Sequence, residues 1–423
     1  LINESDGSFK SGIMFEDWSE KPYLQSVHEP YVAEQLGAPI AYAKLIGEKV
    51  DARELTGEYL WNNETPFNKF MDERPNDTGV AQYHFNTAKL NDFLTKFAID
   101  KGINVIDDEI TSVNVSEWNK VQTIQGEKEL YDYDFYIDCT GFSRLLISAV
   151  GSEWQSYSKY LKMKEAIVFP TPEGDEIPIW TLAKAMDAGW MFRIPVQGRT
   201  GNGYIFDSDF ITAEQAQTEV EKYLEHGVEV AKHIKFDPGT LDKAWIGNVC
   251  AIGLSQSFVE PLEASSIGSS INQTFLLAQR LINYNQETIN RYNLEVTAIM
   301  DNIRDFIVLH YITERRDTPF WKAVSEVTLP DSLDKNLRMW KVRMPIADDM
   351  TTYTKKVLFN EYNYALVMHG LGLFDNESIL KQYETIPQGA KDHVEQSIQH
   401  KLEFDKTKTI PHKLMLQLLR RLT

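Results

Sequence analysis

Residues 133–142 read YDFYIDCTGF. A short apolar run ends at Asp138, and Gly141 follows three residues later. A buried strand that breaks at a glycine brings backbone close to whatever lies beyond the carboxyl end of its sheet, since no Cβ intervenes. Taken alone, such a glycine is more often an ordinary strand-to-turn residue than a cofactor contact. Its surroundings strengthen the reading. In residues 83–103, YHFNTAKLNDFLTKFAIDKGI, the residues Leu90, Phe93, Leu94, Phe97 and Ala98 fall at helical spacing, and Gly102 stands as a stop. INVIDDEITSVNV, residues 103–115, alternates like strands, and Trp118–Tyr131 reads as a polar hairpin. Helix, strand, hairpin, strand and glycine turn in that order predict an α/β nucleotide-binding unit.

Downstream the text changes. KMKEAIVFP and GWMFRIPV (residues 162–170 and 189–196) read as strands of a second sheet, and Gly201-Asn202-Gly203 reads as the hairpin turn that returns the chain. That glycine pair joins two strands, so it is no phosphate loop. A helix is predicted over Thr212–Glu225, with Thr212 and Gln215 as a capping box and Gly227 as its stop. NVCAIGL, residues 248–254, is another buried strand. Beyond residue 266 the pattern is mostly helical, broken at Pro319, Pro330, Pro345, Pro387 and Pro411. The expected organisation is an α/β body over 1–265 with mixed sheets, and a mainly helical module over 266–423.

Composition narrows the function classes. The 423 residues are 43% hydrophobic and 12% aromatic, enough for a sizeable core. A net charge of −19 argues against nucleic-acid binding, which needs a basic face. Two cysteines, Cys139 and Cys250, both in apolar strand-like runs, argue against a disulfide framework and a cysteine zinc site. No metal-ligand spacing of histidines appears, no apolar run approaches a membrane span, and LINESDGSFK is not a signal peptide. A cytoplasmic protein fits.

Three stretches could carry chemistry. GNVCAIGLSQSFVEPLEASSIG, residues 247–268, runs from a buried strand through Gly253 and Pro261 into a helix near Ser265. A helix start exposes unpaired N–H groups that attract anions such as phosphate or halide. Glu260 and Glu263 flank Pro261, and carboxylates at a helix start are favourable without any catalytic role. In GWMFRIPV, the alternating Trp190, Phe192 and Ile194 with Pro195 could line a pocket or simply pack a core. In GSFKSGIMFEDW, residues 7–18, Lys10 lies between Phe9 and Ile13, where a stem packed on aromatics is the ordinary explanation.

Together these stretches resemble the flavin-dependent halogenases of the tryptophan-halogenase type. The resemblance runs in order through residues 7–18, 83–94, 133–147, 189–208, 247–268 and HYITERRDTPFW at 310–321, reaching about residue 375. It implies a flavin-monooxygenase-like, FAD-binding fold. It places the catalytic lysine at Lys10, the catalytic glutamate at Glu263 and the halide site at Ser265 and Ser266. FAD contacts fall on Asp138, Gly141, Gly253 and Pro261. Substrate-pocket positions fall on His28, Trp190, Phe192, Ile194 and Pro195. Glu260 is left with a structural role. The implied chemistry uses reduced FAD from a separate reductase, O2 and chloride, bromide or iodide to make hypohalous acid. That species travels to Lys10, which hydrogen-bonds it or forms a haloamine, and the halogen goes to a small electron-rich aromatic, indole- or phenol-like. Neither nucleic acid nor membrane is an expected partner, and a homodimer is left open.

The sequence departs from that pattern in three places. Phe192 stands where the signature has a second tryptophan, and Ala264 where relatives carry a hydroxyl residue. Both bear on the substrate rather than on halogenation. The glycine-rich turn that holds the FAD pyrophosphate in relatives precedes the lysine by tens of residues, so an N-terminal piece beyond Leu1 is expected. A flavin-dependent aromatic hydroxylase and an inactive halogenase-like partner protein are the alternative readings.

Overall fold

The computed structural model describes residues 2–26, 43–46, 53, 56–66, 82–350 and 357–422. Its elements, in chain order, are β1 (Ser8–Lys10), β2 (Gly12–Glu16), β3 (Tyr23–Ser26), β4 (Gln82–His84), α1 (Thr87–Asp100), β5 (Tyr136–Asp138), β6 (Glu165–Pro172), β7 (Trp180–Met186), β8 (Gly189–Val196), β9 (Arg199–Phe206), α2 (Ala213–Leu224), β10 (Lys232–Lys235), β11 (Trp245–Ile246), β12 (Val249–Ala251), α3 (Ser265–Ala278) and α4 (Gln286–His310). Shorter helices follow, and α5 (His412–Leu422) closes the chain.

The central sheet has the order β10-β6-β9-β8-β7-β2-β3 among the described residues. Its strands are antiparallel except at β2–β7, which pair in parallel. Four of its strands run seven or eight residues, and their buried positions include Ile167, Phe169, Trp190, Tyr204, Ile205 and Phe206, residue types that suit a pleated, packed face. The hairpin between β8 and β9 turns at Gln197-Gly198, not at Gly201–Gly203. Those glycines lie within β9, and Gly203 sits directly opposite Phe192. A Cβ at Gly203 would come within 2.4 Å of the Phe192 ring, so the position is kept bare for packing across the strand pair.

The helix, strand, hairpin and strand expected over residues 83–142 are present, with the strand after the helix starting at Ile110 rather than at residue 103. β5 pairs in parallel with β12, and β12 in turn pairs with β11. α1 forms over Thr87–Asp100 on an Asn86 cap, but its apolar stripe is uncovered by described residues: Leu94 is 49% and Phe97 53% exposed. α2 starts on Thr212 with both capping-box hydrogen bonds made, and it ends at Glu225 in a left-handed conformation before Gly227 is reached. Three of the prolines expected as breaks prove to be starts. Pro319 opens a helix, and Pro330 and Pro387 sit at helix caps, where the missing N–H costs nothing.

One apolar cluster joins sheet and helices. It includes Phe15, Trp18 and Trp190 from the sheet side and Phe306, Trp321 and Trp340 from the helices. The boundary expected at residue 265 therefore crosses a shared core. No helix among the described residues is long and apolar enough to cross a membrane. No group of three or more His, Cys, Asp or Glu among them could hold a metal ion. Cys250 is buried, whereas Cys139 lies exposed just past the end of β5 rather than inside a strand.

Candidate active site

Lys10 ends β1, a strand whose three residues are all buried; the lysine itself is 4% exposed. A buried ammonium loses its hydration, so burial pushes the amine down to about 8, against a weaker upward pull from Glu263. Lys10 thus senses Glu263, and the chain brings them together from 253 residues apart in sequence.

Glu263 closes the single turn Pro261–Glu263, and Ala264 follows with φ at 50°. That left-handed residue swings the chain from the turn into α3, which begins at Ser265. Such a φ costs a non-glycine residue about 1 kcal/mol, so the surrounding packing must hold it. Glu263 is 8% exposed and enclosed by polar partners. The Nε2 of His310 lies 2.7 Å from its Oε1, at ion-pair distance but without the alignment of a hydrogen bond. The other ring nitrogen donates to the Phe306 carbonyl at 2.8 Å, which leaves Nε2 turned toward the carboxylate. With its amide oriented so that the nitrogen rather than the oxygen faces the carboxylate, Gln25 donates to both Glu263 oxygens, 3.0 Å from Oε2. Burial and the Glu263 charge together hold the Tyr23 hydroxyl well above its ordinary range. Aromatic rings wall the cluster: Phe15 stacks on Tyr23 at 4.7 Å and packs against His310 at 4.9 Å, and Phe306 meets His310 edge-on at 5.0 Å.

Glu260 is fully buried. Its Oε2 accepts from Trp190 Nε1 at 2.8 Å and from the Tyr311 hydroxyl. Its Oε1 has no partner. Burial pushes this carboxyl up to about 7, and its two hydrogen bonds only partly offset the rise. The two glutamates of FVEPLE are therefore each met by one of two adjacent residues at the end of α4, Glu263 by His310 and Glu260 by Tyr311.

α3 has no side-chain cap, so its first N–H groups are not taken up by a neighbouring side chain. A small pocket lies there, lined by Gly253, Ser257, Ser265, Ser266, Ser269 and Ser270 among others. Hydroxyls and a helix start suit a monatomic anion. Ser265 is buried and Ser266 exposed.

At the carboxyl ends of the parallel strands β5 and β12, Gly141 and Gly253 have φ of +66° and +72°. Nothing lies within 4 Å of a Cβ built on Gly141, and only the Ser270 hydroxyl, at 3.5 Å, lies near one on Gly253. Two bare, adjacent backbone turns at strand ends fit a dinucleotide laid across them. Asp138 does not join them. It is fully buried, and its oxygens accept from Thr140 N, Thr140 Oγ1, Leu146 N and Ile147 N at 2.7–2.9 Å. Its carboxylate anchors the Gly141 turn. Pro261 is exposed at the first position of its turn. Trp190 is buried 6.2 Å from Phe192, with Pro195 buried and Phe192 and Ile194 half-buried along β8. His28 lies outside the described residues.

A cavity of about 1600 Å³ is lined by Tyr23, Trp61, Arg53, Arg315 and His369 among others, and neither Lys10 nor Glu263 lines it. Tyr23 lines this cavity and also belongs to the buried cluster around Glu263. Sequence reasoning missed Gln25, His310 and Tyr311. HYITERRDTPFW stood out as a stretch, but helical spacing gives no hint of a contact between His310 and a carboxylate 47 residues earlier.

Comparison with known proteins decides the family. The model of the family described as tryptophan halogenase matches residues 1–383. The chain belongs to the tryptophan halogenase family. It is 32% identical over 330 residues to the tryptophan 6-halogenase SttH of Streptomyces toxytricini, covering 75% of this chain and 62% of that protein. To the tryptophan 7-halogenase RebH of Lentzea aerocolonigenes it is 31% identical over 312 residues, covering 69% and 59%. The matched stretches thus span about three fifths of the length of these curated relatives. Among solved structures, a tryptophan halogenase from Shewanella frigidimarina superposes with a TM-score of 0.89 at 23% identity, covering 98% of this chain and 83% of that one. The SttH structure gives 0.84 at 24% identity, covering 97% and 86%. At these identities the superpositions speak for the fold, an α/β halogenase fold.

Proposed function

We propose that this chain belongs to an enzyme that halogenates an electron-rich aromatic, using reduced FAD from a separate reductase, O2 and a halide. The observation that carries the reading is the buried Lys10 amine, made easier to deprotonate by desolvation and within the electrostatic reach of Glu263. A nucleophilic amine must be neutral, and burial brings its deprotonation closer to physiological pH. Gly141 and Gly253 would let the FAD backbone approach, with Asp138 holding the first turn. When bound, reduced FAD would activate O2, and the O2 would supply the oxidising equivalents that turn halide into hypohalous acid, with water as the other product. The N–H groups of Ser265 and Ser266 would hold the halide at the start of α3. Lys10 would receive the hypohalous acid and orient its halogen toward the ring. Glu263, kept in place by His310 and Gln25, would take the ring proton. The β8 strand from Trp190 to Pro195 would keep cofactor and substrate apart. Excluding water is necessary in this scheme, because free hypohalous acid would otherwise escape.

The substrate class follows the relatives' activities toward tryptophan only as far as an aromatic ring. Phe192 and Ala264 remove two polar contacts that an indole amino acid could use, which favours a broader aromatic range. Incubating the complete protein with FAD, a flavin reductase and NADH, across indoles and phenols with chloride, bromide and iodide, tests the reading. Halogenated mass shifts are expected; hydroxylated products alone would replace it with an aromatic hydroxylase.

A further inference from the structure

We infer that His412 is a positioning residue for Lys10: its neutral ring fills a gap beside the lysine's strand and sets where the amine points. The inference rests on the role of Lys10 proposed above. On one edge β1 pairs with β4, Ser8 opposite His84 and Lys10 opposite Gln82. On the other edge, Ser11 N–H donates directly to the Ile179 carbonyl at 2.7 Å. Two residues earlier the partner is an imidazole. Phe9 N–H donates to His412 Nε2 at 3.1 Å, and His412 Nδ1 lies 2.8 Å from the Ile177 carbonyl. A backbone N–H can only donate and a carbonyl only accept, so Nδ1 carries the proton and Nε2 the lone pair. Both ring nitrogens are committed, and the ring stands in for the direct bond that β1 would otherwise make to Ile177.

The ring is anchored on every side. His412 is fully buried, and burial drives it down to about 4, with the Ile177 carbonyl a smaller opposing influence. Its own N–H donates to Asn63 O at 3.1 Å. Its helix, α5, lies beyond the stretch matched by the family, yet Met415 and Leu416 pack in one cluster with Phe9, Ile177 and Ile179. The opposite edge repeats the device. Ser8 Oγ donates to the Pro195 carbonyl at 2.7 Å and accepts from His84 Nδ1 at 3.2 Å, while His84 Nε2 meets Thr181 Oγ1 at 2.9 Å. Ser8 and Phe9 are thus each gripped by a neutral ring, and Lys10 follows directly.

The test separates the acceptor at Nε2 from simple packing. In His412→Gln the side-chain oxygen can reach the Nε2 position and accept from Phe9 N–H; in His412→Asn the shorter amide reaches only the Nδ1 position, and His412→Phe keeps the ring without nitrogen. Met415→Ala loosens the same cluster and leaves the acceptor in place. Two readouts are taken on the complete protein: aromatic halogenation, and acylation of Lys10 by acetic anhydride in the folded protein, followed by peptide mass spectrometry across pH 7–10. Misplacing a reactive group by about 1 Å costs about 100-fold, so halogenation is expected to fall about that much in the Asn and Phe variants, and to stay within about threefold in the Gln and Met415→Ala variants. The Lys10 acylation profile should shift in the same two variants. Wild-type behaviour of His412→Asn, loss in His412→Gln equal to that in His412→Asn, or the same loss in Met415→Ala would each overturn the inference. Should the wild type halogenate nothing, the proposed function fails, and the acylation profiles still decide the role of His412 on their own.

Discussion

Lys10 is the residue on which stability and chemistry pull apart. Its amine, ordinarily near 10.5, is held at about 8. Between these values the unfolded chain binds more protons than the folded one, so folding stability rises as pH climbs from about 8 to about 10.5. Below pH 8 the full burial cost remains. Lys10→Met removes that cost and is expected to stabilise the protein by about 3 kcal/mol at pH 7, while abolishing halogenation. Chemical denaturation at pH 7 and pH 10 checks it, and the gain should shrink at the higher pH. Glu260 has the opposite sign. Its carboxyl, ordinarily near 4.5, is pushed up to about 7. The folded state therefore binds more protons in that window, and stability present below pH 4.5 is lost as pH rises through 7. Thermal melts from pH 4.5 to 8 should show this slope in the wild type and lose it in Glu260→Gln. Glu260→Ala would leave the Trp190 and Tyr311 donors unpaired in the core and cost about 3 kcal/mol. Glu260 and Glu263 look alike in FVEPLE, and the sequence alone separates them only by resemblance. The structure separates them by partners: an indole N–H and a phenol for one, a histidine and an amide for the other.

At the scale of elements, local signals were readable where local chemistry decides them. The capping box of α2 and the stop of α1 at Gly102 need only neighbours in sequence, and both form as read. The strand at YDFYIDCTGF was also legible, although only Tyr136–Asp138 pair. Gly201–Gly203 misled because a glycine pair marks a turn in isolation; here the Phe192 ring across the strand pair claims the space instead. The contacts of Gln25 and His310 with Glu263 were illegible because they join residues 238 and 47 positions apart, which no periodicity encodes. Ala264 is a local signal of another kind. Its φ of 50° is strained for alanine, and Ala264→Gly should relieve about 1 kcal/mol in the folded state, offset by a similar gain in unfolded-chain freedom. A stability change within 1 kcal/mol in urea, with no loss of halogenation, is the expected outcome. A large loss would mean that the alanine methyl itself packs against something needed at the site.

For the whole molecule, the parts gathered around Glu263 come from distant pieces of chain. β3 supplies Gln25, the turn before α3 supplies Glu263 itself, the end of α4 supplies His310, and β1 carries Lys10, whose amine feels the Glu263 charge. A shared core across sheet and helices keeps these pieces in register. In the proposed function that arrangement would set a buried amine within the electrostatic reach of one carboxylate, itself walled by aromatic rings. The most direct measurement compares wild type with Lys10→Ala on the complete protein, with FAD, a flavin reductase, NADH, bromide and indole, reading products by mass spectrometry and NADH consumption in parallel. The account predicts equal NADH consumption by the two proteins, brominated indole from the wild type and none from Lys10→Ala. Equal bromination by both would contradict it.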